Sequence, residues 1–252
     1  MTRADTPATD GALPSGLSQT DVVVQSIKAM ITRGDLSAGS RLPVEKDLAE
    51  VLGVSRGSLR EGVRALCIMG VLETRQGDGT YVTSLDSTLL LAPMAFMVDL
   101  QGPEHRHDLH AVRRVLESEA AARAALRITD DDLGAARATL DGVRAVVFAG
   151  PVTDHEAVMN ADLTFHRIIA KAADNGALAA LIDALADRTA LARRTIGVQH
   201  EEQVRTAFHD HESILAAITA REPDRARLLM SHHLLAIEDF VHDDDSLTTS
   251  AP

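Results

Sequence analysis

Over the first third of this 252-residue chain, apolar residues recur at the spacing of amphipathic helices. Val23, Ile27, Met30 and Ile31 mark one face over residues 22–31, and Gly34 offers a stop suited to a left-handed C-terminal cap. After a loop over 35–43, Val44, Leu48, Val51 and Leu52 fall at i, i+4, i+7 and i+8. They predict a second helix, which Gly53 ends in a tight turn. A third helix opens at Ser55 and has Leu59, Val63 and Leu66 as its buried back. Residues 70–75 and 80–83 then read as two short strands, joined by the hairpin signal Gln76-Gly77-Asp78-Gly79. Three helices followed by a glycine-tipped hairpin predict a winged helix-turn-helix.

From about residue 104 the pattern is helical almost throughout, rich in Ala, Leu, Arg and Glu and poor in β-branched alternation. Helices are predicted near 105–127, 130–149, 154–173, 176–198, 200–220 and 223–242. They are separated by Thr129-Asp130, Gly150-Pro151, Asn175-Gly176 and Pro223. The apolar run 89–100 is too short to span a membrane and is interrupted by Pro93, so it reads as a buried junction helix. The expected fold is mainly α: an N-terminal winged helix-turn-helix with a small β-hairpin wing, and a C-terminal antiparallel bundle of six or seven helices. The expected division is a disordered tail over 1–18, a winged helix over 19–85, a junction over 86–103, a bundle over 104–243 and a second tail over 244–252.

The third helix crowds polar and basic groups into its first turns. Ser55 can cap it, and Arg56, Ser58 and Arg60 can reach DNA bases or phosphates. An isolated Ser-Arg pair at a helix start is often only a cap, and Arg64 suits a solvated or phosphate-facing position. The overall charge of −12 would oppose a nucleic-acid partner, but its distribution does not. Residues 20–85 hold eight basic and eight acidic side chains, while the rest of the chain holds 17 basic and 29 acidic. The neutral part can present a local basic face, and the acidic part is kept off the phosphates. Cys67 is the one cysteine, read as an inert core residue, so no disulfide framework exists and a reducing cytoplasm fits. The first eighteen residues lack the apolar stretch of a signal peptide.

All eleven histidines lie at or beyond His105. Asp162 and His166 stand four residues apart and so share one helical face. With His211 and His233 from two further helices they form a plausible shell for zinc, nickel or manganese. Four such ligands can close a tetrahedral zinc site, whereas a metal preferring six keeps two positions for water or a small acid. Single histidines in helices are more often hydrogen-bonded core or surface residues. His209 and His232 read as outer partners or exposed groups. His105, His107, His110, His155, His200 and His242 read as solvated or locally bonded.

The run Gly34-Asp35-Leu36-Ser37-Ala38-Gly39-Ser40-Arg41-Leu42-Pro43, then Glu45-Lys46-Asp47-Leu48-Ala49, resembles the GntR family of bacterial winged-helix regulators. Val54-Ser55-Arg56 through Leu66, Gly70-Val71-Leu72 and Gly77-Asp78-Gly79-Thr80-Tyr81-Val82 continue the resemblance in order. It implies DNA contacts at Arg41, Lys46, Ser55, Arg56, Ser58, Arg60 and the wing-tip Gly77. The chain departs from the family pattern at Ala38 (usually proline), Val44 (serine), Lys46 (arginine), Gly57-Ser58 (Thr-Pro) and Gly62 (alanine). Valine cannot cap a helix as serine does, and lysine lacks the planar fork that reads guanine bidentately. Glycine inside a helix costs roughly 1 kcal/mol relative to alanine, an expected softening of the recognition helix.

Arg113-Arg114-Val115-Leu116-Glu117, Asp162 to His166, Asn175, His211 to Ile218 and Met230 to Leu234 resemble the all-helical FCD ligand-binding domain of the FadR branch. By that resemblance Asp162, His166, His211 and His233 are metal ligands, and Arg113 and Asn175 line an effector pocket. An arginine beside a cation is a trap for a small carboxylate. Arg113 can instead pair with Glu117 on its own helix, and Glu117 can orient a ligand histidine. The expectation is a cytoplasmic transcriptional repressor that binds a palindromic operator as a homodimer and is relieved by a small organic acid. The alternatives are a metal-responsive regulator without an organic effector, a purely structural metal, and a metalloenzyme, against which the winged helix argues.

Overall fold

The computed structural model describes residues 16–87, 89–91, 93, 106–186 and 201–249, which divide into two compact units near residue 90. Most of the predicted junction helix, residues 187–198 of another predicted helix, and His105 and His200 lie outside the described residues. Among the described residues, no helix is long and apolar enough to cross a membrane.

In the first unit, α1 (Gln19–Arg33) opens on a capping box. Ser18 Oγ accepts from Asp21 N, and Asp21 in turn accepts from Ser18 N, both at 3.1 Å. The helix ends at Gly34, with φ +83°. Helix α2 (Glu45–Leu52) starts at Val44 with no side-chain cap, as valine dictates, and turns at Gly53 into α3 (Arg56–Ile68). Val23, Ile27, Leu36, Leu42, Leu48, Ala49, Leu59 and Leu66 close a core, joined by Leu72 and Val82 of the hairpin. The predicted stripe of α2 is only partly buried, because Val44 is 69% and Val51 80% exposed. Leu48, Ala49 and Leu52 form the inward face, and at about 100° per residue the two valines sit roughly 90° around from its centre.

Strands β1 (Leu72–Arg75) and β2 (Gly79–Val82) pair antiparallel, with Leu72 opposite Val82 and Arg75 opposite Gly79. The first strand starts two residues later than predicted. Gly70 is needed in the turn before it, at φ +71°, where a Cβ would lie 2.5 Å from Leu89 O. Thr83, predicted to end the second strand, instead donates its hydroxyl to Gly70 O at 2.7 Å. Cys67 is half-buried rather than in the core, with its sulfur 3.7 Å from Thr74 Oγ1.

The second unit comprises α4 (Arg106–Arg127), α5 (Asp130–Phe148), α6 (His155–Ala172), the helical residues 176–186 as α7, α8 (Glu201–Thr219) and α9 (Pro223–Thr249). The last helix runs past the boundary predicted at 243, since no proline or glycine interrupts the chain between Pro223 and Pro252. Thr129 and Asp154 cap α5 and α6. Helices α4 and α9 lie antiparallel, bridged by Arg114–Glu238 and Arg227–Glu119, each 2.9 Å. The buried face of α4 is built from Ala120, Ala121, Ala124 and Ala125, so neighbouring helices approach closely. Phe165, Ile169, Ile214, Ile218, Met230 and Leu234 fill the centre.

Candidate metal centre and DNA-reading helix

Helices α6, α8 and α9 bring Asp162, His166, His211 and His233 together, with one ligand atom from each lying within 4.8 Å of all the others. The Nε2 atoms of His211 and His233 are 3.1 Å apart. Asp162 Oδ1 lies 3.5 Å from His211 Nε2 and 3.7 Å from His166 Nε2. Two donors sharing a divalent cation at about 2.1 Å stand about 3.0–3.4 Å apart, so these spacings are near what a metal needs. The three histidines are buried, and Asp162, with 16% of its side chain exposed, marks the solvent side.

Outer partners explain why two of the rings, His166 and His233, present Nε2. On α4, Glu117 uses Oε2 to hold His166 Nδ1 and Oε1 to hold Arg113 Nε. On α8, Asp210 Oδ2 stands 3.4 Å from His233 Nδ1. A carboxylate on Nδ1 fixes the proton there and leaves the Nε2 lone pair pointing inward. His166 Nε2 is buried and has no hydrogen-bond partner among the described residues. Burial works to raise the Glu117 carboxyl pKa, but Arg113 and His166 outweigh it and hold the group well below the usual carboxylate range. Burial also pushes the His233 imidazole below its ordinary value, despite the pull of Asp210. A neutral imidazole is the form that binds metal.

Arg113 is fully buried against Glu117. Asn175 is exposed, and its Oδ1 accepts from Leu178 N at 3.1 Å, capping α7; it does not stand among the four clustered groups. His209 and His232 are exposed, the first paired with Glu212 at 3.1 Å. His110, expected to be solvated or locally bonded, is 2% exposed, because it falls on the inward face of α4 three residues before Arg113.

In the first unit, Ser55 caps α3 by accepting from Ser58 N at 3.0 Å. Arg56, Lys46 and Arg64 are exposed. Arg60 is exposed too, but its Nε is paired with Glu45 Oε2 of α2 at 2.8 Å. Arg41 lies along the wing: its guanidinium donates to Asp78 O, and Tyr81 donates its hydroxyl to Asp78 Oδ2 at 2.8 Å. Gly77, at φ +76° with nothing near its Cβ direction, forms an open tip that can approach a backbone closely.

Residues 19–82 match the model for bacterial regulatory proteins of the gntR family, and residues 108–236 match the FCD domain. A protein of Escherichia coli (strain K12), provisionally named L-lactate dehydrogenase operon regulatory protein, is 31% identical over 243 residues. The match covers 91% of this chain and 86% of that protein. The HTH-type transcriptional regulator LutR of Bacillus subtilis (strain 168) is 31% identical over 214 residues, covering 83% of this chain and 95% of LutR. Among solved structures, Streptococcus agalactiae GntR aligns with a TM-score of 0.61 at 27% identity, covering 87% of this chain and 99% of that one. The chain belongs to the GntR family.

As a GntR regulator with an FCD domain it is a DNA-binding transcriptional regulator, and its relatives are regulators rather than enzymes. Several positions in this regulator escaped sequence reasoning. Asp210 adjoins His211 in sequence yet backs His233, and Gln19, at the first position of α1, reaches the recognition helix. Both contacts cross between elements, so no local spacing signals them.

Proposed function

We propose that the bundle of this GntR regulator holds a divalent metal on Asp162, His166, His211 and His233, and that a small organic acid bound beside it controls operator binding. The observation that carries this is His166: its Nε2 is buried without a hydrogen-bond partner among the described residues, a costly arrangement that a metal ion would relieve. Zinc, nickel and manganese all suit three imidazoles and a carboxylate. Such an ion, when bound, supplies a concentrated positive charge that attracts and orients a carboxylate. Asp162, on the solvent side, is where an acid would enter. The relative whose name ties it to an L-lactate dehydrogenase operon fits a short hydroxy acid in this role.

The winged helix binds DNA as half of a homodimer, with two-fold symmetry matched to a palindromic operator. Arg56, Lys46, Arg60 and Arg41 supply cationic contacts, Ser55 and Ser58 shape the helix tip, and Gly77 lets the wing approach the backbone. The acid must favour the DNA-free arrangement over the DNA-bound one, which makes the protein a repressor relieved by ligand. Asn175 enters this scheme only through its amide nitrogen, because its oxygen caps α7.

One observation favours a second reading, a regulator that answers to the metal alone. Arg113, the cation expected to hold an acid, is already paired through Nε with Glu117, so an incoming carboxylate would have to share that guanidinium. A thermal-shift screen of short carboxylic acids on metal-loaded and chelated protein separates the two readings. Stabilisation by an acid only in the loaded protein supports the effector reading. Stabilisation by metal with no response to any acid supports metal sensing, and no response to metal overturns both.

A further inference from the structure

Gln19 opens α1, yet its side chain is tied to the first turn of α3, more than thirty residues further along the chain. Ser55 N lies 3.1 Å from Gln19 Oε1. A backbone N–H can only donate, so the amide oxygen is correctly the atom that faces it. Ser58 Oγ lies 3.0 Å from the same oxygen and must donate its one proton there. Ser58 Oγ can then only accept across the 2.9 Å that separates it from Ser55 Oγ, so the Ser55 hydroxyl is the donor in that pair. Ser55 Oγ in turn accepts from Ser58 N with a lone pair, at 3.0 Å. Both hydroxyl protons are thereby used within the protein. A DNA phosphate offers only acceptors, so neither serine has a proton to give it.

We propose that Gln19 is a positioning residue for operator recognition. Its amide oxygen anchors the tip of α3 to α1 and draws both serine protons away from the DNA. Ser55 and Ser58 then act by setting the pose of the helix, while Arg56 and its cationic neighbours make the contacts. Any direct readout by Ser58 uses a lone pair, which suits a base-edge amino group and not a phosphate. This rests on the reading of α3 as the DNA-reading helix.

The test uses the full-length protein and a duplex selected from a random-sequence pool by the wild type, with a scrambled duplex of the same composition as reference. Gln19→Ala is expected to lower the selected-to-scrambled affinity ratio by about tenfold or more, the size of one lost base-pair discrimination. Gln19→Glu keeps an acceptor oxygen in place and is expected to retain the ratio, with affinity for both duplexes reduced together by its charge. Ser58→Ala is expected to lower the ratio by weakening binding to the selected duplex while leaving affinity for the scrambled duplex near that of the wild type. A ratio within about threefold of wild type in Gln19→Ala overturns the proposal, as does an affinity loss of equal size on the selected and scrambled duplexes in Ser58→Ala, the mark of a lost phosphate contact. A wild type that selects no duplex overturns the recognition-helix reading itself. One that selects a duplex which Gln19→Ala reads equally well overturns the role of Gln19 alone. Melting temperatures of all variants are measured alongside, so that an unfolded variant is replaced by Gln19→Ser.

Discussion

Val23 occupies the space that a side chain at residue 62 would need: a Cβ built on Gly62 would lie 2.5 Å from Val23 Cγ1 and 2.7 Å from Val23 Cβ. The helical cost of glycine is therefore offset by the close approach of α1 to the recognition helix. Gly62→Ala gains roughly 1 kcal/mol of helix propensity but overpacks the contact by roughly 1–3 kcal/mol, so a lower melting temperature is expected. Val23→Ala opens a cavity by itself. Combined with Gly62→Ala it is expected to cost less than the two single effects added, and strict additivity in thermal melts would contradict this packing.

Glu117 grips His166 Nδ1, so if the proposed metal is held there Glu117 sets its affinity without being a ligand. Glu117→Gln keeps the volume but weakens the hold on that ring, and an affinity loss of about 10–100-fold is expected. A competition titration against a chromogenic chelator reads it directly. The same variant leaves Arg113 buried without its carboxylate, so its metal-free form should also melt lower.

Legibility in the sequence followed the range of the interaction. The winged helix was readable because its caps, glycines and apolar spacing are local: Ser55, Gly34 and Gly53 each act within a few residues. The set Asp162, His166, His211 and His233 was legible partly from the i, i+4 pair and partly from family resemblance, and the fold brings all four together. Asp210, the burial of His110 and the tether from Gln19 were not legible, because each depends on how one helix is rotated against another. Val44 and Val51 show the same limit within a helix. Spacing alone placed them on the buried stripe, but the neighbours of Leu48 and Ala49 decide which arc faces inward.

Arg56 and Arg60, about one turn apart on the same helix, carry their charges in different states. Arg60 is paired with Glu45, and Arg56 has no ion pair among the described residues. Arg56→Ala is expected to cost about 1–3 kcal/mol of specific DNA affinity. Glu45→Ala releases Arg60 and removes a negative charge, so binding to the same selected duplex should tighten at low salt and converge with wild type at high salt. Fluorescence anisotropy across a salt series measures both, and a weaker Glu45→Ala at low salt would assign the pair a positioning role instead.

His211 contributes Nε2 to the cluster from a buried position against Phe165, with the ring centroids 4.6 Å apart. His211→Ala removes one of four donors and opens space, whereas His211→Gln keeps a polar group and much of the volume. Both are expected to lose tight metal binding, and only the alanine variant should lose substantial stability in the metal-free state, by about 1–3 kcal/mol. Wild-type protein should fall in melting temperature on chelation by an amount that grows with the metal previously present. The glutamine variant should show no such fall, because it has little metal to lose. Metal content by plasma emission together with melts in chelator checks the pair. One metal per chain retained in both variants would mean that His211 is a core histidine and that the ligand set lies elsewhere.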